Sequence, residues 1–329
     1  APAACDGRGL DGERYGCGEP CRPGGGSGGG RLEAARPYGG DHVHQERAGA
    51  EPAEGEEAMK IDVKRDKDTI LLDLEIDLPG SPEEVWAAIA TGPGIGCWFV
   101  PAEVEERVGG AIVMHLLPGI DAPATVTAWE PPRRFAYEER DWAGPGRDAE
   151  PLATEFVIEA QRGGTCRLRM VTSCFSSGAD WEDEFFEGMR KGWGPFFTNL
   201  VLYLTGFSGQ RSVVLDAHAD HPGPLDAAFE QLLSALDPSG AVRSEGAELP
   251  RAEGRPPLAG VVHRASESDV ILRITEPAPG YGMFTAYPWE EKVRASFQAH
   301  FFGDDAERVA REQKPLWERW LTERVRPAE

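Results

Sequence analysis

One stretch of this chain occurs twice. Ile70-Leu71-Leu72-Asp73, followed by Asp77, Pro79 and Gly80, returns as Val213-Val214-Leu215-Asp216, followed by Asp220, Pro222 and Gly223. Positions 73 and 216 lie 143 apart, as do 79 and 222, and Phe229 falls on Trp86 at the same spacing. A recurring unit has to bury its apolar face the same way each time, so the repeat constrains the chain to two copies of one architecture. Less sequence remains for the second copy, which is therefore expected to be shortened and degenerate. The expected division is 59–208 for the first copy and 209–329 for the second.

The first copy reads as α+β. Residues 69–78 end in an alternation of apolar and acidic side chains, the pattern of a half-buried strand. Ser81-Pro82-Glu83-Glu84 is a capping box with proline at the first helical position. It predicts a short helix carrying Val85, Trp86 and Ile89, stopped by Gly92-Pro93-Gly94. Strands are predicted at 111–117, 124–129, 134–139, 152–159 and 166–172, separated by turn signals such as Glu130-Pro131-Pro132 and Arg162-Gly163-Gly164. A long helix over 180–204 carries Phe185, Met189, Trp193, Phe196 and Leu200 at helical spacing. Gly188, Gly192, Gly194 and Pro195 predict a bent or loosened middle. That order predicts a curved antiparallel sheet wrapped around its last helix. The second copy predicts strands at 258–263, 270–275, 282–287 and 293–302. Its closing helix over 304–325 is expected to kink at Pro315 and carries Leu316, Trp317, Trp320 and Leu321.

Charge and composition exclude several classes. Of 329 residues, 56 are Asp or Glu and 34 are Lys or Arg, a net charge of −22 that opposes nucleic acid and anionic membranes as partners. No run of 18 apolar residues marks a membrane helix, and no apolar stretch of signal-peptide length opens the chain. A cytoplasmic protein is expected. Residues 1–58 are Gly-rich and almost without aliphatic periodicity, which predicts a disordered tail, and Met59 stands as an alternative start. Within that tail, Cys17 and Cys21 with His42 and His44 imitate a zinc set, but too few apolar residues surround them to build a metal domain. Gly24, Gly26 and Gly29 imitate a dinucleotide loop, and Gly25 to Gly29 a nucleophile elbow, without the strand and helix that either needs. No metal and no cofactor are expected.

The inward strand faces read Ile112, Met114, Leu116, Val126, Phe135, Tyr137, Phe156, Ile158, Leu168 and Met170, with Phe185, Met189 and Trp193 meeting them from the helix. Most of this is core packing. A single helix on a strongly curved sheet can also leave a gap, and one lined by aromatics and methionine suits a hydrophobic small molecule. The candidate ligand-binding residues are Trp98, Met114, Leu116, Tyr137, Phe156, Met170, Phe185, Met189 and Trp193. No catalytic set is legible; Tyr137 and His115 are the candidates for proton transfer, although His115 is expected to point outward.

Several motifs carry a family resemblance. Pro82 to Ile89 (PEEVWAAI), Trp98-Phe99, Val108-Gly109-Gly110, Ala128 to Phe135 (AWEPPRRF) and Trp193 resemble the SRPBCC (START-like, Bet v 1-like) superfamily. They are most similar to proteins related to the C-terminal domain of the activator of Hsp90 ATPase. The second copy, with Pro277-Ala278-Pro279-Gly280 and Trp317-x-x-Trp320-Leu321, resembles the C-terminal halves of two-part actinobacterial members. The resemblance implies a helix-grip fold, a seven-stranded sheet gripping a long C-terminal helix over a hydrophobic cavity, and transfers no catalytic residues. Three functions are compatible with it: a hydrophobic-ligand binder, a polyketide-cyclase-like or hydrolytic enzyme, and a protein-interaction or chaperone-activator module.

Overall fold

Strand β1 (Lys60–Asp66) pairs antiparallel with β2 (Thr69–Pro79), whose even-numbered positions from Ile70 to Leu78 are all buried. The computed structural model describes residues 59–66, 68–117, 119–144, 149–289 and 291–326. The segment 1–58, with its cysteines, histidines and glycine motifs, lies outside the described residues. After β2 the capping box forms as read. Ser81 Oγ accepts from the Glu84 amide at 3.3 Å, and the Glu84 carboxylate accepts from the Ser81 amide at 2.8 Å, opening α1 (Pro82–Ala90).

Gly92-Pro93-Gly94 does not simply stop that helix. It forms a helical turn of its own, α2 (Gly92–Ile95), capped by Thr91 Oγ1 accepting from the Gly94 amide at 3.1 Å. The glycines are there for contact: a Cβ at Gly94 would lie 1.9 Å from the Ala87 carbonyl oxygen, and one at Gly92 2.5 Å from that of Ala102. The chain continues through β3 (Ala102–Val104), β4 (Ala111–Leu117), β5 (Ile120–Glu130), β6 (Arg134–Glu139), β7 (Leu152–Ala160) and β8 (Thr165–Phe175) to the long helix α3 (Asp180–Gly206). The sheet order is β1-β2-β8-β7-β6-β5-β4-β3, antiparallel throughout. It has eight strands where the resemblance implied seven, because β1 adds an edge beyond β2.

The second copy repeats this plan. It comprises β9 (Val213–His221), α4 (Leu225–Leu236), β10 (Glu248–Leu249), β11 (Ala259–Ala265), β12 (Asp269–Glu276), β13 (Gly280–Trp289), β14 (Lys292–Phe301) and α5 (Ala306–Arg324). Its sheet order read from β9 is β9-β14-β13-β12-β11-β10, the counterpart of β2-β8-β7-β6-β5-β4. Helices α1 and α4 begin at 82 and 225, the repeat spacing again, and Trp86 and Phe229 are both buried on them. A 3-10 turn at Ala241–Arg243 follows α4, as α2 follows α1. On the inner face of the second sheet Phe284 and Phe297 stack at 4.3 Å, and Trp317 of α5 lies 4.5 Å from Phe297. Helix α5 continues through Pro315.

The outer face of this second sheet is not open. Ile271, Tyr281 and Met283 alternate with inner-face residues, yet they are buried in the core of the first copy. Helix α3 touches β12 and β13, and the Tyr281 hydroxyl donates to the Cys97 carbonyl. Arg264 donates to Thr198 Oγ1 on α3 at 3.4 Å, while its Nε meets the buried carboxylate of Asp269 at 3.3 Å. Helix α3 therefore has a sheet on each side, and it stays continuous through Gly188, Gly192, Gly194 and Pro195. Its fully buried residues are Phe186, Phe197 and Leu200, whereas Phe185, Met189, Trp193 and Phe196 are half-buried, so the inward stripe is rotated from the expected one. Spacing alone admits both stripes, and with cover on two sides both are apolar. Among the described residues no helix is long and apolar enough to cross a membrane.

Two predictions follow from this packing. Gly94→Ala forces the Ala87 carbonyl away, and urea unfolding should show a loss of about 1–3 kcal/mol. His300 on β14 is fully buried, stacks on Tyr281 at 5.1 Å and faces Ser212 Oγ at 3.3 Å; burial lowers its pKa to about 4. The unfolded chain binds that proton first, so the contribution is complete above about pH 6.5 and is lost as pH falls toward 4. The difference in stability between His300→Gln and the parent should change by about 2–3 kcal/mol across that window.

Candidate functional site

Alternation on the neighbouring strands β6 and β7 builds one aromatic wall. Phe135 and Tyr137 on β6 and Phe156 on β7 are buried, with Phe135 stacked on Phe156 at 6.1 Å and Tyr137 6.5 Å from Phe156. Ile112 and Met114 on β4 continue it. The opposite wall comes from the helical side. Trp98 is fixed by its indole N–H, which donates to the Ala88 carbonyl at 3.0 Å, and it packs on Phe197 of α3 at 5.4 Å. Phe99 bridges Trp193 at 5.1 Å and Phe196 at 4.8 Å.

Between the walls lies an apolar gap of about 20 Å³, room for about one water. Trp98, Met114, Tyr137, Phe156 and Trp193 of the candidate set line it. Ile89, Ile95, Phe99, Ile112 and Phe135 complete the lining. Of these, Ile112 and Phe135 stood on expected inward faces but outside the candidate set. Ile95 and Phe99 were missed because α2 was read as a stop; the adjacent Trp98-Phe99 pair was the signal that could have found them.

Four candidates lie elsewhere. Leu116 is 39% exposed, since the β4–β5 register shifts between His115 and Leu117 and breaks the alternation there. Met170 is fully buried within the sheet core, paired with Phe156. Phe185 turns to Trp142 at 4.6 Å, and Met189 is half-buried on the same stripe. His115 does point outward, with Nδ1 2.8 Å from Asp121 and Nε2 3.7 Å from Glu103; Asp121 and Glu103 raise its pKa. As the proton-transfer candidate it is remote from the gap.

A residue not anticipated from the sequence is Glu139. It follows Phe135 and Tyr137 at alternate positions of β6 and pairs with buried Leu152 on β7, which puts it on the inward face. Burial alone pushes its carboxyl up to about 7. Tyr137 beside it is driven far above the ordinary tyrosine range by burial and then by Glu139, so the phenol stays a hydrogen-bonding group and cannot serve as a base. Thr154, across the strand pair from Tyr137, exchanges a 3.1 Å hydrogen bond with Thr172. Glu182 on α3 is the other acid of this region. Burial raises it, but hydrogen bonds from Ser176 and Ser177 prevail and hold it below its usual value.

Among the described residues no three His, Cys, Asp or Glu side chains gather as a metal site. A larger open groove of about 490 Å³ runs between β9, β14 and the end of α5, lined by His218, Asp220, Arg294 and Arg326 among others. Its charges are already engaged: Arg294 meets Asp220 at 3.1 Å and lies 4.3 Å over Trp289. Size favours the groove, but it is polar and open, and the convergent aromatic chemistry belongs to the gap.

Residues 79–205 match the family model described as activator of Hsp90 ATPase homolog 1-like protein. No curated protein matches the chain. Among solved structures, protein MLL2253 from Mesorhizobium loti is 23% identical over 42% of this chain and 98% of its own, with a TM-score of 0.37. DynU16, from the dynemicin biosynthetic locus, is 15% identical over 78% of this chain and 96% of its own, at 0.36. BexL, a di-domain ARO/CYC from the BE-7585A biosynthetic pathway, is 12% identical over 79% and 99%, at 0.37. The motifs from Pro82 to Trp193 fall within residues 79–205, the part of the chain that is similar to this family; the fold is a helix grip, an antiparallel sheet around the long helix α3, followed by a shortened second copy.

Proposed function

We propose that the first copy binds a hydrophobic small molecule between its sheet and α3, with the chain divided into functional halves at 59–208 and 209–329. The observation that carries this reading is the apolar gap where Trp98, Phe99 and Trp193 face Phe135, Tyr137 and Phe156 across unfilled space. Cores close-pack, so a void between two aromatic walls is where the helix and sheet can be parted at least cost. The void is far smaller than a drug-sized ligand needs, and binding therefore requires Trp193 and Phe99 to move with α3. The half-buried state of both side chains leaves them that freedom.

The test is titration with Nile red, a neutral hydrophobic fluorophore. Saturable binding of one dye per chain is expected, and Met114→Trp, which fills the gap, should weaken it at least tenfold. Absence of saturable binding, or unchanged binding by the filled variant, overturns the reading.

Glu139 has a cost in the empty protein. Its folded pKa of about 7 exceeds the ordinary carboxylate value of 4.5, so the folded state holds the proton longer than the unfolded one. Stability is therefore greatest below about pH 4.5 on this account and is lost as pH rises to about 7. Glu139→Gln should be more stable than the parent by about 1–3 kcal/mol at pH 8, with the gain vanishing near pH 4.5, as read from urea midpoints.

A further inference from the structure

We propose that the second copy keeps the site of the first copy closed, with Tyr281 as the latch: its hydroxyl holds the Cys97 carbonyl and with it the wall that carries Trp98 and Phe99. This rests on the hydrophobic-ligand reading and adds the regulation of that same site.

The wall is one short hydrogen-bonded turn. After α2 the Cys97 amide donates to the Gly94 carbonyl at 2.9 Å, and the Trp98 and Phe99 amides donate to that of Ile95 at 3.2 and 3.0 Å. Residues 95–99 therefore shift together, and Ile95, Trp98 and Phe99 all line the gap. Three successive carbonyls of this turn are held from outside it. Gly96 accepts from Ser212 Oγ in the connector at 3.2 Å, Cys97 accepts from Tyr281, and the Trp98 carbonyl faces Asn199 Nδ2 of α3 at 3.5 Å.

The donor at Cys97 is rigid. Tyr281 is fully buried, pairs with His300 on β14 and stacks on its ring at 5.1 Å, with Phe302 and Phe207 at 5.7 and 6.0 Å. The Tyr203 hydroxyl is engaged, donating to the Gln210 carbonyl at 3.3 Å and accepting from the Gly209 amide at 3.2 Å. A shift of the turn that draws the Cys97 carbonyl away thus leaves a buried phenol donor unpaired, at the full desolvation cost of that group. The second copy also rests on the other wall. A Cβ at Gly194, the residue after Trp193, would lie 3.1 Å from the Arg264 guanidinium, which donates to Thr198 Oγ1 at 3.4 Å. Opening the gap therefore works against the second sheet at both the turn and α3. A ligand that needs the open state binds more weakly in proportion to the molecules held closed.

The experiment is Nile red titration of the full chain and two variants, with urea midpoints measured alongside. Tyr281→Phe keeps the ring and removes the hydroxyl, so opening leaves no donor unpaired, and the dye should bind about fivefold more tightly or better. Thr285→Val removes a buried hydroxyl from the same strand, one that donates to the Ser268 carbonyl within the second copy at 2.9 Å. It should lower the urea midpoint as Tyr281→Phe does, yet change the dye affinity less than about twofold. Tighter binding by a less stable variant is a result that a merely structural role for Tyr281 would not produce. Unchanged or weaker binding by Tyr281→Phe, or equal tightening by Thr285→Val, overturns the latch. The hydrophobic-ligand reading then still stands if the parent binds the dye and Met114→Trp does not. Absence of saturable binding to the parent overturns both.

Discussion

Helix α3 is covered on two sides, and the rest of the molecule depends on that. Its own sheet takes Phe186, Phe197 and Leu200, and the outer face of the second sheet brings Ile271, Tyr281 and Met283 into the same core. A helix laid on one sheet needs one apolar stripe; one held between two sheets needs a nearly continuous apolar surface. This accounts for the density of aromatics along 181–197 and for the survival of the helix through Gly192, Gly194 and Pro195, since tertiary packing replaces the stability that those residues withhold. It also gives the second copy a part in the first. The second sheet lies behind the one helix whose movement would open the gap.

The gap and Glu139 express two different compromises. The gap leaves dispersion contacts unmade between Trp193, Phe99 and the β6–β7 wall, in a core that is otherwise closely packed. Among the described residues, Glu139 puts a carboxyl on an apolar face without the hydrogen bonds that Glu182, one helix away, receives from Ser176 and Ser177. Buried Glu182 and half-buried Glu139, with opposite pKa directions, show that the environment, not the residue type, sets their chemistry. Glu182, held by Ser176 and Ser177, anchors the start of α3.

Much of the fold was legible. The 143-residue repeat foretold the shared strand order, and nine of the ten side chains read as inward-facing are buried; only Leu116 departs. The fold brings part of the candidate set together. Trp98, Met114, Tyr137, Phe156 and Trp193 do meet, because each stands on an element whose period is strict where it stands. Leu116 is turned outward at a register shift, which alternation cannot foresee, and Phe185 and Met189 lie apart from the gap because two apolar stripes compete on α3. A signal for the double burial was present in Val270-Ile271-Leu272 and in Gly280–Tyr287, apolar runs without alternation, as strands covered on both faces show.

The sequence by itself determined the local periods, the capping box at Ser81, the glycine turns and the duplication, since each depends on residues close together along the chain or on a direct repeat. Only the tertiary structure decided which stripe of α3 faces which sheet, that β1 adds an eighth strand, and that α2 presses on the Ala87 carbonyl and therefore requires glycine at 94. It also decided that Glu139 stands on the inward face of β6. Burial of a charge depends on groups distant in sequence, and no local pattern records whether a partner will be there to meet it.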